Sequence, residues 1–192
     1  MIEIRDAVLD DAPCILEIYD YYVKHTAITF EYETPTLEAF RKRMRRTMQR
    51  YPYLVILQDD VIQGYAYAGP FVDRAAYGWG CELTIYLAPN VRKCGMGRRL
   101  YTALASALKA MGMLNLYACI AYPEADDDYL THNSIQFHSH LGFNIVGDFK
   151  QCGYKFGRWY HMVWMEKVIG EHRENQLPVT PYPALKALES KA

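Results

Sequence analysis

The chain has 192 residues and a mass of 22.3 kDa, with 21 Lys and Arg against 22 Asp and Glu. A length of this order favours one compact domain. The near-neutral charge lacks the basic excess of a dedicated nucleic-acid binder. A hydrophobic content of 51% supplies a sizeable core, which excludes wholesale disorder. The 17 tyrosines are an unusual supply of amphipathic rings, suited to a pocket or an interface.

The five cysteines are scattered, and none forms a Cys-x-x-Cys pair or a cysteine–histidine spacing typical of zinc sites. We therefore expect reduced thiols and no bound metal. The first residues alternate as in a strand and lack the apolar stretch of a signal peptide, and no later run approaches about 20 apolar residues. The sequence thus favours a cytoplasmic protein without a membrane segment.

The N-terminal half is predicted to hold two helices and a hairpin. A strand over Ile2–Arg5 precedes a helix, whose start is marked by two aspartates and a proline at residues 10–13. A second helix follows Thr36, and we interpret the basic side chains along it as a solvated face. Apolar runs over Tyr53–Leu57 and Val61–Ala68 predict an antiparallel hairpin.

The remaining elements alternate between strands and helices and predict an α/β (α+β) domain with a mixed sheet. They are strands over Cys81–Leu87 and Leu114–Ile120, a helix from Gly97 to Met111, a helix over Ser134–Leu141, and strands over Phe143–Phe149 and Met162–Lys167. From Gly170 onward, prolines and charges replace the periodic patterns. We therefore expect a domain over residues 1–169 and a surface extension over residues 170–192.

The sharpest local pattern is a strand, a proline stop, a basic loop with two glycines and a helix, over residues 86–101. Gly95 and Gly97 allow the backbone to approach a ligand, and the free amides and dipole of a helix N-terminus stabilise a phosphate. The alternative is an ordinary strand-to-helix turn with a solvated basic rim. The glycine spacing does not match a P-loop.

Residues 92–97, with the sequence Arg-Lys-Cys-Gly-Met-Gly, resemble the [Gln/Arg]-x-x-Gly-x-[Gly/Ala] signature of the GNAT superfamily of acetyl-CoA-dependent N-acetyltransferases. The resemblance runs from about Ile2 to Lys167. The block Gly-Tyr-Lys-Phe-Gly-Arg-Trp at residues 153–159 is similar to the phosphinothricin and methionine-sulfone N-acetyltransferase branch. The resemblance implies the GNAT fold, a mixed and mostly antiparallel sheet splayed in the middle and flanked by helices. It also implies acetyl-CoA in the splay and a homodimer.

Glu82 is the expected general base. An attacking amine must be neutral, whereas an α-amine with a pKa near 8 or above is largely protonated at neutral pH. Glu82 lies in an apolar strand, where desolvation raises a carboxyl pKa toward a useful value. The residues alone leave open an outward-facing glutamate paired with a basic neighbour. The branch that the sequence resembles has its proposed base in this strand, which favours the first interpretation.

The resemblance also implies roles in the region between residues 122 and 143. His138 occupies the position of a tyrosine acid in many superfamily members and is expected to protonate the coenzyme A thiolate, with an ordinary structural hydrogen bond as the alternative. Thr131 stands where the family often has a cofactor-contacting asparagine, and Asn133 either takes over that contact or caps the helix. We interpret Asp126–Asp128 as an exposed acidic loop rather than a metal site.

The same resemblance implies two sets of binding residues. Acetyl-CoA is expected to contact Ile85, Tyr86, Leu87, Arg92, Lys93, Cys94, Gly95, Met96, Gly97, Arg98 and Asn133. The acceptor is expected to contact Phe30, Arg74, Tyr77 and Tyr154. Arg74 would hold a carboxylate, and Tyr154 serves either the acceptor or a dimer seam. Val72 stands where relatives often carry a second arginine, which argues against a doubly anionic acceptor.

These residues predict an N-acetyltransferase that moves acetyl from acetyl-CoA to the amine of a small amino acid or analogue, of the phosphinothricin, methionine sulfone or methionine sulfoximine type. Cys94 lies in the phosphate loop, so we expect direct attack in a ternary complex rather than an acetyl-cysteine. One alternative is a GNAT enzyme acting on another amine, such as a protein N-terminus or a polyamine. The other is a non-catalytic sensor domain that binds acyl-CoA.

Overall fold

The computed structural model describes residues 1–91 and 94–190. These residues form a sheet of seven strands in the order β1-β2-β3-β4-β5-β7-β6. The strands are β1 (Ile2–Asp6), β2 (Tyr53–Gln58), β3 (Val61–Pro70), β4 (Gly80–Leu87), β5 (Asn115–Tyr122), β6 (Asn144–Lys155) and β7 (Arg158–Val168). Neighbouring strands run antiparallel except β4 and β5, which run parallel. The mixed and mostly antiparallel sheet of the sequence analysis is confirmed.

Helices cover both faces of the sheet. They are α1 (Ala12–His25), α2 (Leu37–Met48), α3 (Met96–Met111), α4 (Asn133–His140) and α5 (Tyr182–Glu189). Because side chains alternate along a strand, Val55 of β2 packs with α1 and α2, while Leu54 and Ile56 pack on the α3 face. Both faces of β2 are therefore buried, which explains its continuous apolar run. Of the helices in the described part of the chain, none combines the length and apolar character needed to cross a membrane.

The predicted hairpin is confirmed as β2 and β3, and Gly112 ends α3 with a φ of +91°, a conformation that glycine adopts without strain. The predicted bounds of the last two strands are wrong, because both strands are longer. Beyond Phe149 the pairing of β6 with β7 shifts at an irregularity and then resumes from Gly153 to Lys155. This segment contains few apolar residues, so a hydrophobic pattern could not reveal the strand.

The segment after Gly170 folds back onto the domain and ends in a helix that the sequence analysis did not predict. The indole Nε1 of Trp79 donates to the Leu177 carbonyl at 2.8 Å, and the Tyr182 hydroxyl donates to Asp6 at 2.7 Å. Tyr182 and Leu185 of α5 pack against the core on the α3 face. Three prolines concealed the helix, because they precede or begin it rather than interrupt it.

Candidate active site

The sheet opens between β4 and β5. The two strands pair only from Gly80 to Glu82, opposite Asn115 to Tyr117, whereas β4 continues to Leu87. Trp79 comes directly before β4, and its carbonyl accepts from the Leu114 amide at 2.9 Å. Because alternate residues of a strand turn their amides and carbonyls to the same side, the backbone groups of the odd-numbered residues of β4 face β5. The amides of Ile85 and Leu87 therefore face the gap. The splay implied by the resemblance is present, and its backbone donors are available to a ligand.

Tyr86 differs from Ile85 and Leu87 in the direction of its backbone amide. Its backbone pairs with Tyr65 of β3, so its amide faces away from the gap. Its ring packs against Tyr19 and Tyr22 of α1, with centroids 5.3 and 4.8 Å away. The Tyr22 hydroxyl donates to the Leu87 carbonyl at 2.6 Å and so ties α1 to the open end of β4. The helical spacing of Tyr22 gives no sign of this bond, because its partner lies 65 residues away in the chain.

Glu82 lies at the closed end of the gap, as the last residue of β4 that pairs with β5. Burial raises the pKa of its carboxyl above the usual 4.5, and no charge among the described residues offsets that shift. Burial raises the pKa of the nearby Tyr67 hydroxyl, a hydrogen bond with Thr84 lowers it, and the Glu82 carboxylate raises it further. A partly desolvated carboxylate of this kind takes a proton from an amine at neutral pH.

The N-terminus of α3 lies at the other end of the gap. Gly95 precedes the helix with a φ of +78°, and within the described part of the chain no side chain caps the first turn. The first helical bond is made by the Arg99 amide to the Gly95 carbonyl, so the amides of Met96, Gly97 and Arg98 are not used within the helix. This end of α3 offers three amides and a positive dipole to an anion.

The loop before α3 is partly described. Cys94 and Arg98 are exposed, whereas Met96 is buried. A Cβ atom at Gly97 would lie 3.5 Å from the Phe137 ring of α4, so α3 and α4 approach closely there. The expected cofactor residues Arg92 and Lys93 lie outside the described residues.

Asn133 is the first residue of α4 and is exposed. It is not the N-cap of the helix, because His132 holds that position and the Asn133 amide itself donates to the Thr131 hydroxyl at 3.3 Å. Residues four apart share a helix face, which places Asn133 on the same side as Phe137. Since Phe137 contacts Gly97, this face of α4 is turned toward the phosphate loop.

His138 is buried, with 4% of its surface exposed, and both of its ring nitrogens have protein partners. Nδ1 lies 2.7 Å from the Ser134 carbonyl, which can only accept, so Nδ1 carries the proton. Nε2 then accepts from the Tyr101 hydroxyl at 2.9 Å. Burial lowers the pKa of the ring. His138 is therefore a neutral imidazole with its single proton committed to a carbonyl, which favours the structural alternative over the acid.

The structure places the four expected acceptor residues in two groups. Phe30 lies against Gly153 at the far end of β6, where the Tyr154 carbonyl accepts from the Tyr32 hydroxyl. Tyr77 instead lines a cavity of about 250 Å³ beside Gly80. The two groups lie near opposite ends of β5, roughly 20 Å apart at about 3.3 Å per residue.

Arg74 belongs to the second group and precedes Tyr77 in the loop between β3 and β4. It is exposed, and its side chain forms no ion pair with another described residue. A second arginine, Arg43, lies near the Tyr67 hydroxyl, on which the Glu82 carboxylate also acts. Arg43 of α2 pairs with Glu31 at 2.6 Å, and the charges of both act on the Tyr67 hydroxyl. The sequence pattern could not predict this pair, because Glu31 lies in a loop and Arg43 on a helix that only the fold brings together.

The acidic loop before α4 is a structured turn. Asp127 accepts from the amides of Tyr129 and Leu130, both at 2.8 Å, and from the Tyr160 hydroxyl at 3.0 Å. Arg158 pairs with the same carboxylate at 2.9 Å. The turn thus joins the β6–β7 hairpin to the segment that leads into α4.

The comparisons with known proteins agree with this geometry. The model of the acetyltransferase (GNAT) domain matches residues 4–164. A phosphinothricin N-acetyltransferase from Streptomyces viridochromogenes is 31% identical over 95% of this chain and 92% of its own length. An L-methionine sulfoximine/L-methionine sulfone acetyltransferase from Salmonella typhimurium is 31% identical over 88% of this chain and 95% of its own.

A solved structure supports the same assignment. The crystal structure of a phosphinothricin acetyltransferase from Sinorhizobium meliloti in complex with acetyl-CoA is 33% identical to this chain. It superposes with a TM-score of 0.83 over 94% of this chain and 98% of its own. The splayed sheet and the uncapped α3 agree with these matches, which show that the chain belongs to the GNAT family of acetyltransferases.

Proposed function

We propose that this enzyme transfers acetyl from acetyl-CoA to the α-amine of a small amino acid or analogue. The observation that carries the proposal is the gap between β4 and β5, with Glu82 at its closed end and the uncapped N-terminus of α3 at its open end. The gap fits an extended thioester arm, and the α3 amides fit a pyrophosphate. The names of the relatives, which describe amino-acid analogues as their substrates, support the choice of acceptor.

When bound, acetyl-CoA supplies the thioester carbonyl that an amine attacks. Glu82 removes the proton of the ammonium form, so that the nitrogen lone pair is free to form the new bond. The gap-facing amides of Ile85 and Leu87 supply the donors for the negative charge that develops on the carbonyl oxygen. The amides at the start of α3, with Asn133 and the basic loop, hold the phosphates. The chain itself forms no covalent bond to acetyl.

Between Glu82 and the α1–α2 loop, the charged pair of Arg43 and Glu31 and the hydroxyl of Tyr67 supply polar contacts for an acceptor. Phe30 and Tyr154 form an aromatic edge beside the α1–α2 loop, whereas Arg74 and Tyr77 lie near the opposite end of β5. Arg74, which forms no ion pair with another described residue, suits one carboxylate in a bidentate fork. Val72, where relatives often carry an arginine, adds no charge, so an acceptor with one carboxylate fits better than one with an additional phosphinate.

His138 is proposed to hold Tyr101 in the core rather than to deliver a proton to the thiolate. The departing thiolate then takes its proton from Glu82, which had removed it from the ammonium, or from solvent, and the nitrogen releases its second proton to solvent as the C–S bond breaks. A homodimer and a cytoplasmic location are also part of the proposal. The exposed apolar side chains of β6, at Ile145, Val146 and Phe149, offer a surface for a second copy, and the unpaired cysteines of the described residues suit a reducing compartment.

A thiol-release assay with acetyl-CoA tests the proposal. The panel contains methionine sulfone, methionine sulfoximine, phosphinothricin and unmodified amino acids, with a polyamine and an N-terminal peptide as comparison amines. We expect release of coenzyme A with the neutral-side-chain analogues, and weaker turnover with phosphinothricin. Turnover only with the peptide or the polyamine would favour another amine as acceptor. Tight acetyl-CoA binding without any turnover would contradict an enzyme and favour a sensor.

A further inference from the structure

Lys155 is a buried cation that the proposed chemistry does not use. Only 2% of its surface is exposed. Lysine is almost never fully buried unless its charge has partners, and Lys155 has two. Its ammonium donates to the carbonyls of Thr26 and Thr29, each at 2.8 Å. Burial lowers its pKa, and the negative charge of Glu31 acts in the opposite direction. The last residue of β6 is thus bonded to the loop between α1 and α2.

The same loop is held by two further contacts with the β6–β7 hairpin and one with the acidic turn. The Phe30 ring fills the space where Gly153 has no side chain. The Tyr32 hydroxyl donates to the Tyr154 carbonyl. The Ala27 amide donates to the Tyr129 carbonyl at 3.1 Å. Lys155 is the charged member of this set and the one that reaches two separate points of the loop.

The held loop carries groups that face the candidate site. The Thr29 hydroxyl is bonded to Tyr19 at 2.9 Å, and the Tyr19 ring packs on Tyr86 of the splayed strand. Glu31, two residues further on, fixes Arg43 at 2.6 Å. The position of the loop therefore determines where Phe30 and the Glu31–Arg43 pair stand relative to β4.

We propose that Lys155 is a positioning residue that clasps Thr26 and Thr29 and thereby preforms the acceptor wall of the site. The consequence for the acceptor rests on the proposed function, whereas the clasp itself does not. Without the ammonium, two carbonyls lose their donor and the loop samples other conformations. Acceptor binding then bears the cost of ordering the loop, while the α3 amides that hold the phosphates are unchanged.

The test compares Lys155→Met with Lys155→Arg, which keeps donors, and with Lys150→Met as the matched control on the same strand. Lys150 is exposed and pairs with Asp148. Hydrogen exchange of residues 26–31 is measured with and without acetyl-CoA, together with the KM of the acceptor and the Kd of acetyl-CoA. We expect exchange of this loop to speed up by about tenfold or more in Lys155→Met. We also expect the acceptor KM to rise about tenfold while the Kd changes less than about threefold.

Lys155→Arg is expected to restore most of the loop protection, and Lys150→Met to behave as the wild type. Unchanged loop exchange in Lys155→Met would overturn the clasp, whatever the activity. Faster exchange with an unchanged acceptor KM would overturn the positioning role. Absence of wild-type turnover would count against the proposed function alone. One further measurement uses the wild type alone. Its Ala27 amide should exchange slowly even without an acceptor, and fast exchange would overturn the proposal.

Discussion

Gly153→Ala tests how closely the loop between α1 and α2 is packed on the β6–β7 hairpin. An alanine Cβ would lie 2.3 Å from two atoms of the Phe30 ring. Carbon atoms in contact lie about 3.5–4.0 Å apart, so the ring must move by more than about 1 Å. Phe30 is only 37% exposed, and most of the ring therefore loses its packing when it moves. Overpacking of this kind costs about 1–3 kcal/mol in the free energy of unfolding.

The assay is a double-mutant cycle by denaturant unfolding, joined to steady-state kinetics. Gly153→Ala should lower stability by about 1–3 kcal/mol and raise the acceptor KM more than the acetyl-CoA KM. In a Phe30→Ala background the added methyl meets no ring, and its cost should fall below about 0.5 kcal/mol. Gly69→Ala, whose Cβ meets no atom within 4 Å, is the stability control. An equal cost with and without the Phe30 ring would refute the packing argument.

The other predictions concern the phosphate end, the buried histidine and the C-terminal segment. Gly95→Ala forces a side chain into a φ of +78°, which costs about 1–2 kcal/mol, and should weaken acetyl-CoA binding in calorimetric titration; unaltered affinity would argue against a phosphate at α3. His138→Gln should lower stability by about 1–3 kcal/mol and kcat by less than about tenfold. A hundredfold loss of kcat in a stable variant would restore the acid role. Tyr182→Phe removes the bond to Asp6 and should lower Tm by about 2–4 °C, whereas an unchanged Tm would mean that this bond does not help to hold α5.

Most of the sheet and helix order could be predicted from the sequence, because burial leaves a periodic pattern. The apolar runs of β2 and β3 and the stripe along α3 are examples. The pattern was lost where a strand carries few apolar residues, as in the second half of β6, and where a helix is short and begins among prolines, as in α5. Pairing with a neighbouring strand, and not hydrophobicity, defines those elements.

The candidate site was predicted unevenly for a similar physical reason. Gly95 and Glu82 could be predicted from their local sequence, because Gly95 lies in a glycine-containing basic loop and Glu82 is a carboxylate in an apolar strand. Lys155 and Tyr22 act through bonds to carbonyls more than 60 residues away in the chain. No local pattern reports such a bond. His138 shows the converse, since a suitable residue type at a suitable position is committed to partners that only the fold brings near.

The most direct test of the account is the pH dependence of kcat/KM for the wild type and Glu82→Gln. Glu82 acts as a base only when it is ionised, and burial raises its pKa above 4.5. The wild-type kcat/KM should therefore fall as the pH drops through that raised value. Glu82→Gln should lose about 10²-fold or more at neutral pH and recover at high pH, where the amine is neutral without help. A variant within about threefold of the wild type at pH 7, with the same profile, would contradict the account.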